Sequence, residues 1–283
     1  MAEALAGDGR EVVATYRNRV PAIFNDSRIK TLRLDLTDSR LRLDDVDVVV
    51  HAAAVHPHTQ PPPTAQDYVH SNLLATLNVI DFCRTHHTRF LIFLSSVSVH
   101  GTVGTSELDE TTPISNPGLY GISKYFGEKA LSDSRDQVSS VAIRLPGVVG
   151  RGAFTPWLGT VLERALCGES IPIYNAEAMF NNLIDVSELG RFVNVVIGSS
   201  FSGCEVVNIA ASEPIRVREA VELIVSETAS KSGIHEQVAA RPSFSIRTDR
   251  IRHLFGFEPA STREVICRFV KDNLGIAKQL PVS

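Results

Sequence analysis

Short unbroken apolar runs alternate along this chain with longer stretches in which apolar residues recur every three or four positions. Glu11 to Tyr16 and Ile29 to Leu34 read as buried strands, and Asp47 to His51 as a third, with Val48, Val49 and Val50 as a continuous β-branched run. Strands apolar on both faces belong in a parallel sheet covered by helices. Ala65 to His87 has helical spacing through Leu73, Leu77, Ile80 and Arg84; Phe90 to Leu94 is the next strand and runs into Ser95 and Ser96. A helix over Leu119 to Ser132 and a strand over Val141 to Leu145 continue a β-α-β rhythm.

Beyond Gly150 the pattern loosens. A helix is expected over Phe154 to Cys167, short strands over Ile171 to Ile173, Leu183 to Val186 and Val206 to Ile209, and a helix from Ser212 to Thr228 capped by Ser212. Gly233 to Ser245 reads as a loop-rich lobe, and Ser261 or Thr262 caps a last helix that Gly275 stops. No internal repeat or linker interrupts the chain, and Pro61 to Pro63 shape the loop before a helix.

Composition narrows the class. With 283 residues, 43% hydrophobic and 21% charged, the chain can build a large core. A net charge of −4 argues against general nucleic-acid binding, and the densest basic stretch, Arg241 to Arg252, reads as a solvated face. Cys83, Cys167, Cys204 and Cys267 form no close pair, as expected in a reducing compartment. Met1 to Gly9 is not a signal peptide and no run approaches a membrane span, so the expected location is cytoplasmic.

Tyr120 and Lys124 stand at i, i+4, which places them on one face of the expected helix. A lysine there favours the phenolate and suits a tyrosine that donates or accepts a proton. The spacing alone is weak; it gains weight because Ser95 and Ser96 emerge at the carboxyl end of a strand, where such sheets bind ligands. Ser96 can then hydrogen-bond the substrate oxygen while Tyr120 moves the proton. His56 and His58 suggest a metal only superficially, because no third ligand is placed with them; they fit the mouth of a substrate site instead. No metal is expected. Asn72 is expected to tie neighbouring backbone together, and Trp157 to pack in a core with Phe154 nearby.

These segments resemble the extended short-chain dehydrogenase/reductase family, in its NAD-dependent epimerase/dehydratase branch, over nearly the whole chain. Phe90 to Gly101 is similar to the family's serine segment, and Pro117-Gly118-Leu119-Tyr120-Gly121-Ile122-Ser123-Lys124 to its tyrosine segment. Asp35-Leu36-Thr37-Asp38 resembles the acidic turn near the adenine, and His51-Ala52-Ala53-Ala54 the small-residue segment on which the coenzyme lies. Arg144 to Gly150, Asn182 to Val186 and Val207 to Ala210 resemble later segments. The resemblance implies a nicotinamide coenzyme contacted by Arg17, Asp35, Leu36, Ala52, Ala53, Ala54, Tyr120 and Lys124. It implies Ser96, Tyr120 and Lys124 as catalytic residues, with Tyr120 as base, Lys124 on the nicotinamide ribose and Ser96 orienting the reacting oxygen. Ser96, Val97, Tyr120 and Gly147 are the implied substrate contacts, a nucleotide sugar the implied substrate, and a helix-mediated homodimer the implied assembly.

Departures shape the remaining expectations. Gly147 stands where many sugar-nucleotide enzymes of the family carry asparagine, and His100 where tyrosine is usual. No acidic residue ends the strand Glu11 to Tyr16, and Arg17 and Arg19 follow it instead, which favours NADP over NAD through a 2′-phosphate contact at Arg17. No glycine fingerprint precedes that strand; Gly7 and Gly9 read as ending a helix, so Glu11 to Tyr16 is taken as the second strand of the family order. The expected fold is therefore a Rossmann-like doubly wound parallel sheet with a small C-terminal substrate lobe and its first strand missing. Residues 1–150 form an incomplete coenzyme domain, and 151–283 a lobe interleaved with the last elements of the sheet. A start assigned late explains that front end best; a genuine short form that binds coenzyme poorly is the other explanation. Three functions follow: an NAD(P)-dependent epimerase, dehydratase or reductase on a nucleotide sugar, a non-enzymatic sensor or scaffold with impaired coenzyme binding, or a small-carbonyl reductase.

Overall fold

The computed structural model describes residues 1–18, 26–152, 156–239 and 242–277; Arg19, Phe154 and Arg241 lie outside them. The first half of the chain runs through α1 (Ala2–Gly7), β1 (Val12–Tyr16), β2 (Ile29–Arg33), β3 (Val48–His51), α2 (Ala65–Tyr68), a π-helical stretch (Val69–Leu74), α3 (Ala75–Thr85), β4 (Phe90–Ser96), a 3-10 turn (Val97–His100), β5 (Glu107–Leu108) and α4 (Leu119–Asp133). It continues through β6 (Ser139–Leu145), β7 (Gly147–Val149), α5 (Pro156–Cys167), β8 (Ile171–Tyr174), β9 (Met179–Phe180), β10 (Leu183–Asp185), α6 (Val186–Gly198) and β11 (Cys204–Asn208). The last elements are β12 (Ile215–Arg216), α7 (Val217–Glu227), β13 (Ile234–Gln237), β14 (Ser245–Ile246), α8 (Asp249–Phe255) and α9 (Thr262–Ala277).

Two compact units result. The first combines Met1–Thr102, Pro113–Arg144 and Gly190–Val207. Its main sheet has the order β11-β6-β4-β3, with β3 and β4 parallel and Val48 opposite Phe90. Phe90, Leu91, Ile92 and Phe93 are all but excluded from solvent, each removal being worth about 1.5–3 kcal/mol. Helices α3 and α4 supply Val79, Ile80, Cys83 and Leu131 to the same core.

The Rossmann-like sheet and the C-terminal lobe match expectation; the missing first strand does not. Val12–Tyr16 is present as the first strand of the chain and pairs in parallel with β2, Val12 facing Ile29 and Tyr16 facing Arg33. The pairing is closed at both ends, by Val12 N–H on Arg28 O at 2.8 Å and Leu34 N–H on Tyr16 O at 2.9 Å. The sequence offered no glycine fingerprint by which to rank this strand, and ranking it second was the error. Gly7 does end α1, and Gly9 takes the left-handed φ of +87° just beyond it.

The second unit combines Val103–Thr112, Leu145–Leu189 and Asn208–Ser283. Short strand pairs (β7 with β10, β8 with β13, β9 with β12, β5 with β14) surround a core that includes Leu158, Leu162, Ile173, Val221, Ile266 and Phe269. Trp157 packs against this core, with its ring 4.9 Å from that of Phe180. Among the described residues no helix is long and apolar enough to cross a membrane.

Candidate active site

Close backbone approach decides where Tyr120 sits. A Cβ on Gly121 would lie 2.2 Å from Ser98 O, and one on Gly127 would lie 2.6 Å from the Phe93 ring. Glycine at both positions lets α4 lie directly on β4 and on the turn that follows Ser96. Tyr120, Lys124 and Glu128 then share the face of α4 turned to that strand, one turn apart.

Ser96 ends β4 in extended conformation, and its Oγ accepts the Ser98 N–H at 3.1 Å, capping the 3-10 turn. The Ser96 side chain is the polar neighbour that acts on the Tyr120 phenol. Burial dominates the phenol and pushes its pKa up to about 12; Ser96 opposes this, and Tyr68, with its ring 6.4 Å away, adds to it. Lys124 is 3% exposed, and its Nζ donates to Leu94 O at 2.7 Å. It stands 4.8 Å from the Phe93 centroid and 5.9 Å from the Tyr120 centroid. Burial lowers the ammonium pKa to about 8, with Glu128 resisting. The lysine is therefore charged at neutral pH and loses that charge as pH rises through about 8. Burial sets the direction for the phenol, and the pKa-lowering effect expected of Lys124 is not among its causes.

Behind this face lies a buried polar chain. Arg144 grips Glu128 bidentately, Nε on Oε1 at 3.0 Å and Nη2 on Oε2 at 2.8 Å. Ser95 Oγ donates to Glu128 Oε1 at 2.6 Å, and Arg144 Nη1 meets His100 Nε2 at 3.0 Å. Glu128 stands at i+4 from Lys124, so the tyrosine segment extended by one turn would have revealed it. The tertiary pairings with Ser95 and His100 carry no such signal.

Asn72 ties backbone as expected. Its Oδ1 accepts Val55 N–H at 2.8 Å, while its amide group donates to Val55 O at 3.2 Å and Ser123 Oγ at 2.9 Å. His51 is buried, with Nε2 3.0 Å from Thr76 Oγ1. The Thr76 proton goes to Asn72 O at 2.6 Å, so the imidazole is the donor in that pair. Burial, then Lys124, brings the His51 pKa down to about 3. His56 stands edge-on to Tyr120, ring centroids 4.9 Å apart.

The remaining expected contacts fall in distinct places. Ala52, Ala53 and Ala54 are exposed immediately beyond β3, and Val97 is half-buried at the start of the 3-10 turn. Arg17 and Asp35 meet at 2.9 Å, and Asp35 also accepts from Thr37 N–H and Oγ1. Leu36 packs on the core, with its carbonyl taking Asn78 Nδ2 at 2.9 Å. Gly147 belongs to the second unit, where it opens β7 opposite Leu183. Ser96 at the end of β4 with Tyr120 and Lys124 on α4 is a donor set that could hold the nicotinamide ribose end of a dinucleotide. Among the described residues no group of three His, Cys, Asp or Glu could hold a metal ion.

Residues 1–210 match the model of the NAD dependent epimerase/dehydratase family. This chain belongs to that family. As a family member it is 24% identical, over 78% of its length and 72% of the relative's, to a protein of Bacillus subtilis (strain 168) described as the uncharacterized UDP-glucose epimerase YtcB. The fold of this epimerase/dehydratase matches that of the Bordetella bronchiseptica enzyme WbmG in complex with NAD and UDP, with TM-score 0.80, 17% identity and coverage of 99% and 94% of the two chains. It also matches the UDP-glucuronic acid 4-epimerase of Bacillus cereus in complex with UDP-glucuronic acid and NAD, with TM-score 0.78, 17% identity and coverage of 97% and 94%.

Proposed function

We propose that this family member acts on a nucleotide sugar and oxidises one of its hydroxyl groups, with Tyr120 as base. The observation that carries the reading is the pairing of Tyr120 with Ser96, the side chain that acts on its phenol, with the Lys124 ammonium buried one helical turn away. Bound NAD(P) supplies the acceptor for the hydride. Tyr120, as phenolate, takes the hydroxyl proton at Oη. Ser96 Oγ donates to the same substrate oxygen and holds it towards Tyr120. Lys124 binds the nicotinamide ribose. Ala52, Ala53 and Ala54 leave room for the coenzyme, Asp35 and Leu36 flank its adenine, and Arg17 takes a 2′-phosphate, which makes NADP the preferred form. Residues 1–150 carry the coenzyme, and 151–283 form the substrate lobe.

The test is proton NMR of purified protein with NAD or NADP and UDP-glucose or UDP-glucuronate. A new sugar species should form, and Tyr120→Phe should slow it about 10²–10⁴-fold. Absence of any product from either sugar together with absence of NADH or NADPH binding would overturn the reading.

A homodimer belongs to the same proposal. Leu119, Ile122 and Phe126 are exposed along α4, and Val69, Leu74 and Leu77 on the helices packed beside it. An apolar face of this kind needs a cover, and a second copy presents the matching one. Phe126→Glu should convert a dimer to a monomer in sedimentation; an unchanged mass would refute this assembly.

A further inference from the structure

The loop beyond the exposed alanines carries two imidazoles that the mechanism above does not use. His56 and His58 are both exposed, their ring centroids 5.0 Å apart, and His56 lies edge-on against the reacting tyrosine. The backbone builds this placement. Thr59 Oγ1 accepts the His56 N–H at 3.2 Å, and Thr59 N–H closes the turn on His56 O at 2.9 Å. His58 N–H donates to His56 Nδ1 at 3.3 Å, which makes Nδ1 the acceptor and leaves the proton of the neutral ring on Nε2. Among the described residues neither His56 Nε2 nor a ring nitrogen of His58 has a hydrogen-bond partner.

The charges bearing on His56 have one sign. Burial lowers its pKa first, then His58, then Lys124, both cationic when charged. The elements packed nearby add the phenols of Tyr120 from α4 and Tyr68 from α2. The Asp67 carboxylate of α2 is taken by the Thr64 N–H and Oγ, at 2.8 and 2.7 Å. Two imidazoles that repel each other beside a buried ammonium are what an anion would relieve, and their free ring nitrogens are the donors it would take.

We propose that His56 and His58 recognise a carboxylate on the substrate, carried within two carbons of the hydroxyl that Tyr120 deprotonates. The reacting carbon must lie at Tyr120, so an anion reaching the adjoining imidazole belongs to the carbon skeleton near that carbon. A hexuronate that reacts at its 4-hydroxyl meets this requirement through the carboxylate on C5, and an aldonate does so directly. The carboxylate favours the cationic imidazole, so it raises the pKa on binding. Discrimination is therefore strongest below the free imidazole pKa and fades as pH rises through the bound one.

The inference rests on Tyr120 as the reacting group, and two substrate pairs separate it from the nucleotide-sugar reading. Rates are measured for UDP-glucuronate against UDP-glucose, and for D-erythronate against erythritol, at about pH 5.5 and about pH 7.5. In at least one pair kcat/KM should favour the acid by about 10-fold or more at the lower pH, with the advantage shrinking at the higher pH. The change should reside mainly in KM. The double variant His56→Gln, His58→Gln should bring the ratio to near one and remove its pH dependence. Preference for the erythronate pair alone would refute the nucleotide-sugar reading while upholding this one. Turnover of neither acid, or a preference that survives the double substitution, would overturn the histidine proposal.

Discussion

Two arginine–carboxylate pairs in the first unit have nearly the same length and opposite characters. Arg17 meets Asp35 at 2.9 Å with the side chains 53% and 33% exposed; Arg144 meets Glu128 at 2.8 Å with 6% and 2%. Water competes for the first pair and screens it, so it contributes about 0–1 kcal/mol and can be exchanged for a ligand. No water competes for the second, whose acceptors are filled by Arg144 and Ser95. Burial, more than distance, separates a pair that an incoming charged group can open from one that braces the Tyr120 face of α4.

Glu128→Gln tests the buried side of that contrast and should have the largest effect. It removes the carboxylate charge that Arg144 grips bidentately, a loss of about 3–5 kcal/mol in chemical denaturation. Because Glu128 holds the Lys124 pKa up, the same variant should move the alkaline limb of the rate profile to lower pH, where the wild type loses the Lys124 charge near about 8. Wild-type stability and an unmoved limb would refute the brace. Arg17→Ala tests the exposed side and should change stability by less than about 1 kcal/mol. Its effect should appear in coenzyme choice instead, lowering the NADP to NAD ratio of kcat/KM by about 10-fold. An unchanged ratio would remove Arg17 from the coenzyme site.

The same contrast governs what could be read from the residues alone. β3 and β4 were legible because Val48 to Val50 and Phe90 to Leu94 are apolar on both faces, and Tyr120 with Lys124 because a helix repeats every 3.6 residues. The rank of Val12–Tyr16 was not legible, since one strand's pattern does not name its neighbour. Nor was the π-helical stretch, because Leu73, Leu77 and Ile80 keep helical spacing on either side of it. Strands of two or three residues such as β5, β7 and β9 are too short to show a period. The meeting of His56 with Tyr120 depends on a turn built by Thr59, which no periodicity announces.

Asn72 has a consequence for redesign. One carboxamide holds both polar groups of Val55 and the hydroxyl of Ser123, which in turn donates to the backbone of Tyr120 at 2.8 Å. Val55 is thereby anchored to the helix that carries Tyr120, while the residues that follow project from a fixed post. Selection or a designer can rewrite residues 56–63, and the backbone of α4 at Tyr120 keeps its footing.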